Sequence, residues 1–229
     1  MSKPVKEDLV AIGIGPEKNW LVLPPGLPAK EPISRAQSRL ELNIPQDLFT
    51  IAWVGRFADI KNPYLALEVV EEILNKDSKP IQMIMAGEGE LWIEIKQIAT
   101  RREAPIRFLG WIESVDTLMS ASDILLITSR NEGMPVVVIE AAIQSTPTVS
   151  TDVGGIGDFI ESGENGFLVP EDSESIADVV LDLARHERRL SFLGKNARNL
   201  ALSDFSIEKS LENHAKLYRS ITHVHGTSN

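Results

Sequence analysis

Short apolar runs alternate with longer segments of helical spacing along this 229-residue chain, and this alternation limits the possible folds more than any other feature. The short runs are apolar throughout, a pattern typical of parallel strands that are buried on both faces. Because strand-helix-strand connections within one sheet are right-handed, the alternation predicts an α/β domain with a doubly wound parallel sheet. The predicted strands are Trp20 to Leu23, Ile51 to Val54, Ile81 to Ala86, Ile106 to Leu109, Ile124 to Thr128, Thr148 to Ser150 and Phe167 to Val169.

The segments between the predicted strands carry apolar residues at helical spacing. Leu65, Val69 and Ile73, for example, predict an amphipathic helix that covers the sheet. From Ser173 onward the pattern is purely helical, so we expect extra helices at the C-terminal end. The run VVVIEAA, residues 136–142, stays ambiguous: its β-branched residues favour a strand, whereas Pro135 before it suits the first turn of a helix.

Composition excludes several classes of function. The chain is 43% hydrophobic and 24% charged, as expected for a globular protein. Its net charge of −10 is a poor match for nucleic acid, and the absence of cysteine excludes thiolate nucleophiles and thiolate metal sites. The first residues lack the apolar core of a signal peptide, and no stretch approaches the roughly 20 apolar residues that span a bilayer. We therefore expect a soluble, cytoplasmic protein.

Polar and glycine-rich segments follow five consecutive predicted strands. They read GRFADIKN, GEGE, GWIES, SRNEGMP and TDVGGIGD, and the adjacent glycines of the last would let the backbone approach an anion. Ligands of open parallel sheets bind beyond the carboxyl ends of the strands, so these segments predict a site at one sheet edge. Each alone has a simpler explanation: Arg56 and Lys61 suit a solvated helix start, and Gly87-Glu88-Gly89 and Gly154-Gly155 suit ordinary turns. Their convergence on one edge favours the site.

Two glutamates, Glu132 and Glu140, have seven residues between them. Glu132 alone suits a surface loop. Glu140 lies in an otherwise apolar run, where a buried carboxylate without a partner would cost several kcal/mol. Glu140 therefore has a hydrogen-bonding partner, is protonated, or lines a cavity that a ligand fills.

Taken in order, five blocks of the sequence carry a family resemblance: VGRFADIKNP, MAGEGE, FLGWIES, ASDILLITSRNEGMPVVVIEAA and STDVGGIGDFIESGENGFLVPEDS. They resemble the C-terminal, nucleotide-sugar-binding domain of the group 1 (family 4) retaining glycosyltransferases of the GT-B fold. The resemblance extends from about Leu21 to the final helix. It implies a single Rossmann-like domain that forms the C-terminal half of a GT-B fold, and it implies that residues 136–142 are helical.

The resemblance also assigns roles to individual residues. Arg56 and Lys61 would bind the diphosphate of the sugar donor, Glu132 would contact the donor sugar, and Glu140 would contact the ribose. Arg56, Lys61 and Glu132 are the predicted catalytic residues, and neither a metal ion nor another cofactor is implied. The histidines at 223 and 225 fall in a predicted tail and are assigned no metal. The predicted residues that bind the sugar donor are Gly55, Arg56, Lys61, Gly87, Leu109, Gly110, Glu132, Gly133, Met134, Pro135, Val136 and Glu140.

The chain departs from the family pattern in sequence and in length. PPGL replaces the usual Asn-Gly after the first predicted strand, Ser145 replaces a glycine after the acidic helix, and Asp158 stands where a longer acid is usual. From its length, we expect this chain to lack the N-terminal domain that binds most of the acceptor in the family. We expect residues 1–20 to be the remnant of an interdomain connection, 21–205 the nucleotide-sugar-binding domain, 206–221 a helix that crosses back to the missing domain, and 222–229 a tail.

The function implied by the resemblance is that of the donor-binding half of a retaining glycosyltransferase. It would transfer a hexosyl group from a UDP-, GDP- or ADP-linked sugar without a metal ion. Its partners would be the nucleotide sugar and the missing domain, in cis or in trans, and any membrane contact would belong to the missing half. Two alternatives stay open: a nucleotide-sugar-binding module without turnover on its own, and a nucleotide-sugar epimerase-like domain.

Overall fold

A six-stranded sheet, parallel throughout, organises the part of the chain that the computed structural model describes, residues 2 to 225. The strands are β1 Phe49–Val54, β2 Ile81–Ala86, β3 Ile106–Gly110, β4 Ile124–Ile127, β5 Thr148–Thr151 and β6 Gly166–Val169. They pair in the order β3-β2-β1-β4-β5-β6, the strand order of a doubly wound, Rossmann-like sheet. The predicted fold class is therefore confirmed.

Helices cover both faces of this sheet. They are α1 Lys3–Ala11, α2 Arg35–Glu41, α3 Pro63–Lys76, α4 Trp92–Arg101, α5 Asp116–Ala121, α6 Val136–Ile143, α7 Ser173–Arg185, α8 Glu187–Asp204 and α9 Ile207–His225. α3, α4 and α7 bury apolar side chains against one face, and α5, α6 and α8 against the other. We call the core under α3, α4 and α7 the first core and the core under α5, α6 and α8 the second core. Successive side chains of a strand point to opposite faces, so Ile51 and Trp53 of β1 enter the first core and Ala52 enters the second.

The first predicted strand, Trp20 to Leu23, is wrong. In the structure these residues are irregular and line a groove beside α9 instead of joining the sheet. The sequence pattern misleads here because Pro24 and Pro25 follow at once and have no N–H for a sheet ladder. The apolar side chains of the segment are half-buried or exposed beside a helix, so their run of hydrophobicity does not mark a strand.

The ambiguous run after Pro135 is a helix, as the family resemblance implied. Pro135 has an extended backbone and precedes the first residue of α6, and its carbonyl accepts a hydrogen bond from the N–H of Val138 at 3.2 Å. Val138 and Ile139 are buried in the second core, where α6 also packs against α8. Tertiary packing therefore overrides the β propensity of the three valines.

The segment that leads into the sheet is pinned to the start of α9. The N–H of Leu27 donates to the carbonyl oxygen of Phe205, and the carbonyl oxygen of Leu27 accepts from the N–H of Ile207, each at 2.9 Å. A Cβ on Gly26 would lie 2.5 Å from Cβ of Ser210, so only glycine allows this close approach.

The C-terminal boundaries differ from the predicted ones. α9 begins at Ile207 and continues to His225, so residues 222–225, predicted as tail, are helical, while 226–229 lie outside the described residues, as does Met1. No helix in the described range combines the length and apolar character that a membrane crossing requires.

Candidate active site

The strand order predicts a crevice between the carboxyl ends of β1 and β4. From β1 the chain winds outward to β2 and β3, and it then returns to β4 on the other side of β1. Connections from these two neighbouring strands leave in opposite directions, and open α/β sheets bind ligands at such a switch point. Lys61 follows β1 and Glu132 follows β4, so two of the predicted catalytic residues lie at this crevice.

The backbone around Lys61 is held in place from the next strand. Lys61 ends the short 3-10 turn Asp59–Lys61, and Asn62, with φ 47°, caps the start of α3. The hydroxyl of Thr128 lies 2.9 Å from the carbonyl oxygens of both Lys61 and Asn62, and it accepts the indole N–H of Trp53 at 2.9 Å. Because Trp53 and Thr128 are buried, this hydrogen-bonded chain fixes where the lysine side chain begins.

Lys61 and Glu132 form an ion pair across the crevice. Lys61 Nζ contacts Oε1 of Glu132, and the Ser129 hydroxyl donates to the same oxygen at 2.6 Å. The Glu132 side chain is 9% exposed and the Lys61 side chain 29%. A carboxylate this buried requires charged or hydrogen-bonding partners, and both are present. Glu132 is therefore buried and paired, and it is not an ordinary surface loop residue.

Three strand-end glycines let neighbouring backbone segments touch. Gly87 donates its N–H to the carbonyl oxygen of Gly110 at 2.7 Å, and a Cβ on Gly87 would lie 2.0 Å from the carbonyl oxygen of Gly55. Gly87 and Gly110 have φ of 126° and 74°, in the range that favours glycine. These glycines and the half-buried Leu109 thus place four of the predicted sugar-donor-binding positions at the ends of β1, β2 and β3.

The double glycine after β5 packs against the loop of the acidic pair. A Cβ on Gly154 would lie 1.9 Å from the carbonyl oxygen of Glu132, and a Cβ on Gly155 would lie 2.1 Å from the carbonyl oxygen of Gly133. The N–H of Gly155 donates to the carbonyl oxygen of Glu132 at 2.9 Å. The structure therefore accounts for these glycines by contact with the backbone of the site, where the sequence had suggested approach to an anion.

The turn after Glu132 leads directly into α6. Gly133 and Val136 are exposed, Met134 is half-buried against the second core, and Pro135 stands at the N-cap, where no side chain bonds to the helix. The first N–H groups of a helix lack partners within it and carry partial positive charge. The start of α6 thus offers backbone donors for an anion beside the Lys61–Glu132 pair.

Glu140 lies on α6 and is half-buried. Burial raises the pKa of its carboxyl above the usual range, and the neighbouring Asp116 carboxylate raises the pKa further, while Lys30 acts in the opposite direction. Lys30 Nζ contacts Oδ2 of Asp116 at 2.6 Å. The structure thus places the Glu140 carboxyl half-buried and near two charged side chains, those of Asp116 and Lys30.

Arg56 is not part of the Lys61–Glu132 ion pair. Its guanidinium contacts Glu90 of the GEGE turn at 3.1 Å, and the two side chains are 72% and 55% exposed. The structure therefore brings together two of the three predicted catalytic residues. Among the side chains that the structure describes, which end at Ile221, no three histidines, aspartates or glutamates are arranged to hold a metal ion.

Three residues of the site were missed by sequence reasoning. Ser129 belongs to the segment SRNEGMP, and its place three residues before Glu132 is a local signal for its hydrogen bond. Lys30 and Asp116 lie 86 residues apart in the chain, so no spacing rule relates them.

Relatives of this chain transfer or join sugars. It is 26% identical over 182 residues to an Escherichia coli enzyme named UDP-Gal:alpha-D-GlcNAc-diphosphoundecaprenol alpha-1,3-galactosyltransferase, with 77% of this chain and 47% of that protein covered. It is 25% identical over 189 residues to N-acetyl-alpha-D-glucosaminyl L-malate synthase of Bacillus anthracis, with 81% and 49% covered. The chain thus spans about half the length of these relatives.

Solved structures share the fold. Anabaena HepE in complex with UDP superposes with a TM-score of 0.85 at 21% identity, covering 96% of this chain and 62% of that one. The neighbours are GT-B glycosyltransferases, so this chain has the Rossmann-like half of that fold with additional C-terminal helices. The family model described as "Glycosyl transferases group 1" matches residues 49–186, more than half of the chain. The chain belongs to the group 1 glycosyltransferases.

Proposed function

We propose that this chain is the donor-binding half of a retaining glycosyltransferase, which transfers a hexosyl group from a nucleotide diphosphate sugar to an acceptor without a metal ion. The observation that carries the proposal is the Lys61–Glu132 ion pair beside the open N-terminus of α6, at the switch point of the sheet. The complex of Anabaena HepE with UDP and the galactosyltransferase name of the E. coli relative support a nucleotide sugar as the ligand.

The diphosphate binds at the start of α6 in this proposal. The N–H groups there donate to phosphate oxygens, and Lys61 offsets their negative charge. Arg56 leaves Glu90 for the phosphate at little cost, because an exposed ion pair contributes only about 0–1 kcal/mol. When the bond between the sugar and the diphosphate breaks, negative charge grows on the departing oxygen, and these positively charged groups stabilise it electrostatically.

The two glutamates contact the sugar and the ribose of the donor in this proposal. Glu132 contacts the donor sugar, Glu140 accepts hydrogen bonds from the ribose hydroxyls, and the base lies near Leu109 and Gly110. A half-buried carboxylate gains from such bonds, because hydroxyl donors replace the water that burial removes. With its oxygen already paired to Lys61 and Ser129, Glu132 is held in one orientation before ligand arrives.

The acceptor is bound by a second domain in this proposal. The chain covers 47% of its E. coli relative, which leaves room there for a second domain of similar size. A groove of about 700 Å³ lies between residues 20–23 and α9, where Leu217 and Ile221 line it. We assign this apolar surface to the partner domain, whether it is supplied in cis or in trans.

The proposal is tested by calorimetric titration with UDP, GDP and ADP, and then with the matching sugar nucleotides, in buffer that contains EDTA. We expect saturable binding of one nucleotide without metal. Lys61→Ala is expected to weaken it by about 1.5–3 kcal/mol, the range for a hydrogen bond to a charged group. Lys76→Ala is the matched control, because Lys76 is 28% exposed and paired with Asp178, while Lys61 is 29% exposed and paired with Glu132. If Lys61→Ala binds each nucleotide as tightly as Lys76→Ala does, the site is refuted.

A second candidate is a nucleotide-sugar-binding module that has no turnover on its own. The coverage of about half of each relative favours it, because the groups that bind the acceptor would then lie outside this chain. Sugar transfer by the isolated chain would overturn this candidate. For the complete enzyme, the anomeric configuration of the product tests whether transfer is retaining, because an inverted product would exclude the retaining mechanism.

A further inference from the structure

The two oxygens of the Glu132 carboxylate have different surroundings. Oε1 is contacted by Lys61 Nζ and accepts from the Ser129 hydroxyl at 2.6 Å, whereas Oε2 receives no hydrogen bond from the part of the chain that the structure describes. Among those residues, Ser38 Oγ is the one fully buried side-chain polar atom without a partner. Oε2 is therefore not fully buried. One oxygen is held by the protein, and the other is accessible to a ligand.

Ser129 is held in place by the neighbouring strand. It is 2% exposed, and its carbonyl oxygen accepts from the hydroxyl of Thr151, the fully buried last residue of β5, at 2.6 Å. The backbone of Glu132 is also held, because its carbonyl oxygen accepts from the N–H of Gly155 at 2.9 Å. Both members of the Ser129–Glu132 hydrogen bond are thus attached to the segment around β5, independently of Lys61.

Lys61 is the more mobile partner of Oε1. It reaches the carboxylate on a long, flexible side chain that is 29% exposed. In the proposed function its ammonium also offsets the charge of the diphosphate, which draws it toward the phosphate oxygens. The Ser129 hydroxyl is carried by a short side chain on a buried backbone and has no such second task. Ser129 is therefore the contact that keeps the Glu132 carboxylate in place once a nucleotide sugar is bound.

We propose that Ser129 is a positioning residue for Glu132: by donating to Oε1 it directs Oε2 toward the ligand, where Oε2 accepts a hydrogen bond from a hydroxyl of the donor sugar. A carboxylate paired with a lysine accepts hydrogen bonds and donates none, so the group that it selects is a donor such as a sugar hydroxyl. This inference rests on the proposed function, because it takes Glu132 as the residue that contacts the sugar.

The test is the sugar selectivity of the chain, defined as the ratio of the Kd for a bare nucleotide to the Kd for its sugar conjugate and measured by calorimetry. The probes are UDP with UDP-glucose and UDP-galactose, GDP with GDP-mannose, and ADP with ADP-glucose, and the pair with the largest wild-type ratio is used for the variants. Ser129→Ala is expected to lower this ratio about three- to tenfold, the range for one hydrogen bond, and to leave the affinity for the bare nucleotide unchanged. A purely structural role would weaken both ligands together.

Ser122→Ala is the matched control. Ser122 precedes β4 and Ser129 follows it, and the two residues are 3% and 2% exposed. The Ser122 hydroxyl donates to the carbonyl oxygen of Leu118 at 2.7 Å, a length similar to that of the hydrogen bond from Ser129 to Glu132. Each substitution removes one buried, hydrogen-bonded hydroxyl, but Ser122 lies at the opposite end of the strand. We therefore expect Ser122→Ala to leave the selectivity ratio unchanged.

Two further variants show whether Ser129 acts through Glu132. In the Glu132→Gln background, Ser129→Ala is expected to lower the ratio by less than in the wild type, because the carboxylate that it orients is gone. Thr151→Val removes the hydrogen bond to the carbonyl oxygen of Ser129 and is expected to lower the ratio in the same direction as Ser129→Ala. Circular dichroism shows whether each variant is folded, and Thr151→Val supplies the test if Ser129→Ala is not.

The outcomes distinguish this inference from the proposed function. A lower ratio in Ser129→Ala, with the affinity for the bare nucleotide unchanged, supports it. Equal losses for both ligands, or an unchanged ratio in Ser129→Ala while Glu132→Gln lowers it, overturn the role of Ser129 and leave the proposed site intact. A wild-type chain that gains no affinity from any of the sugars, a ratio that Glu132→Gln leaves unchanged, or no binding by the folded chain overturns the sugar contact of Glu132, on which both depend.

Discussion

Removing Lys61 from the Lys61–Glu132 ion pair is expected to destabilise the protein more than removing Glu132. Lys61→Met leaves Glu132 9% exposed, with the Ser129 hydroxyl at 2.6 Å as its remaining partner. Leaving one member of a buried pair uncompensated costs about 3–5 kcal/mol, and the remaining hydrogen bond reduces this, so we expect about 2–3 kcal/mol. Glu132→Gln leaves Lys61 29% exposed and able to reach water, so we expect about 1–2 kcal/mol.

The assay is urea denaturation followed by tryptophan fluorescence, because urea is uncharged and does not screen the pair as guanidinium would. The double variant Lys61→Met/Glu132→Gln completes the cycle and is expected to give a coupling energy of about 1–2 kcal/mol. Lys76→Met is the control. Its partner Asp178 is 63% exposed, so a loss below about 1 kcal/mol is expected. If Lys61→Met costs no more than Lys76→Met, or if the coupling energy is zero, Glu132 does not depend on Lys61 and the reasoning fails.

Three further predictions test the glycine contacts and the two glutamates. Gly87→Ala should cost more than about 3 kcal/mol in urea unfolding, because its Cβ would lie 2.0 Å from the Gly55 oxygen; Gly163→Ala, with φ 87° and nothing within 4 Å, should show only backbone strain of about 1–2 kcal/mol. Calorimetry should show that Glu132→Gln weakens binding of the sugar nucleotide but not of the bare nucleotide, and equal losses would contradict its sugar contact. Glu140→Gln should raise the free energy of unfolding at pH 7. The folded-state pKa of Glu140 is raised, so its contribution to stability is present below the unfolded-state pKa and is lost as pH rises through the folded-state pKa. The gain should therefore vanish near pH 4, and an equal gain at both pH values would exclude titration as its cause.

The fold was predictable because its strands are buried on both faces and are therefore apolar without interruption. That rule fails at residues 20–23, where the apolar run packs beside α9. A strand requires a neighbour to pair with, and a window of sequence does not contain the neighbour. Residues 136–143 show the opposite case. Their β-branched residues favour a strand, yet they form a helix because most of its side chains are buried in the second core. Local propensity did not decide between strand and helix for this segment. The family resemblance implied the helix, which tertiary packing stabilises.

The site was predictable only as far as strand ends determine it. Lys61 and Glu132 follow β1 and β4, so the parallel topology alone brings them to one crevice. The hydrogen bond from Ser129 to Glu132, the Arg56–Glu90 contact and the Lys30–Asp116 contact depend on loop conformation and side-chain reach, which the order of elements does not specify. The glycines were recognised as special positions, but their close backbone contacts are visible only in three dimensions.

If nucleotide binds at Glu140 as proposed, the protonation state of this residue would link folding to binding. In the unliganded chain its carboxyl is half-buried, with the charge of Asp116 beside it, and both effects disfavour ionisation. An apolar residue at this place in α6 would make the fold more stable, since such a residue has no charge to desolvate. Ribose hydroxyls would reverse that balance, because each bond they donate favours the ionised carboxylate that the fold alone disfavours. Nucleotide binding would then draw part of its free energy from relieving a cost already present in the folded protein, as expected where function is maintained at the expense of stability.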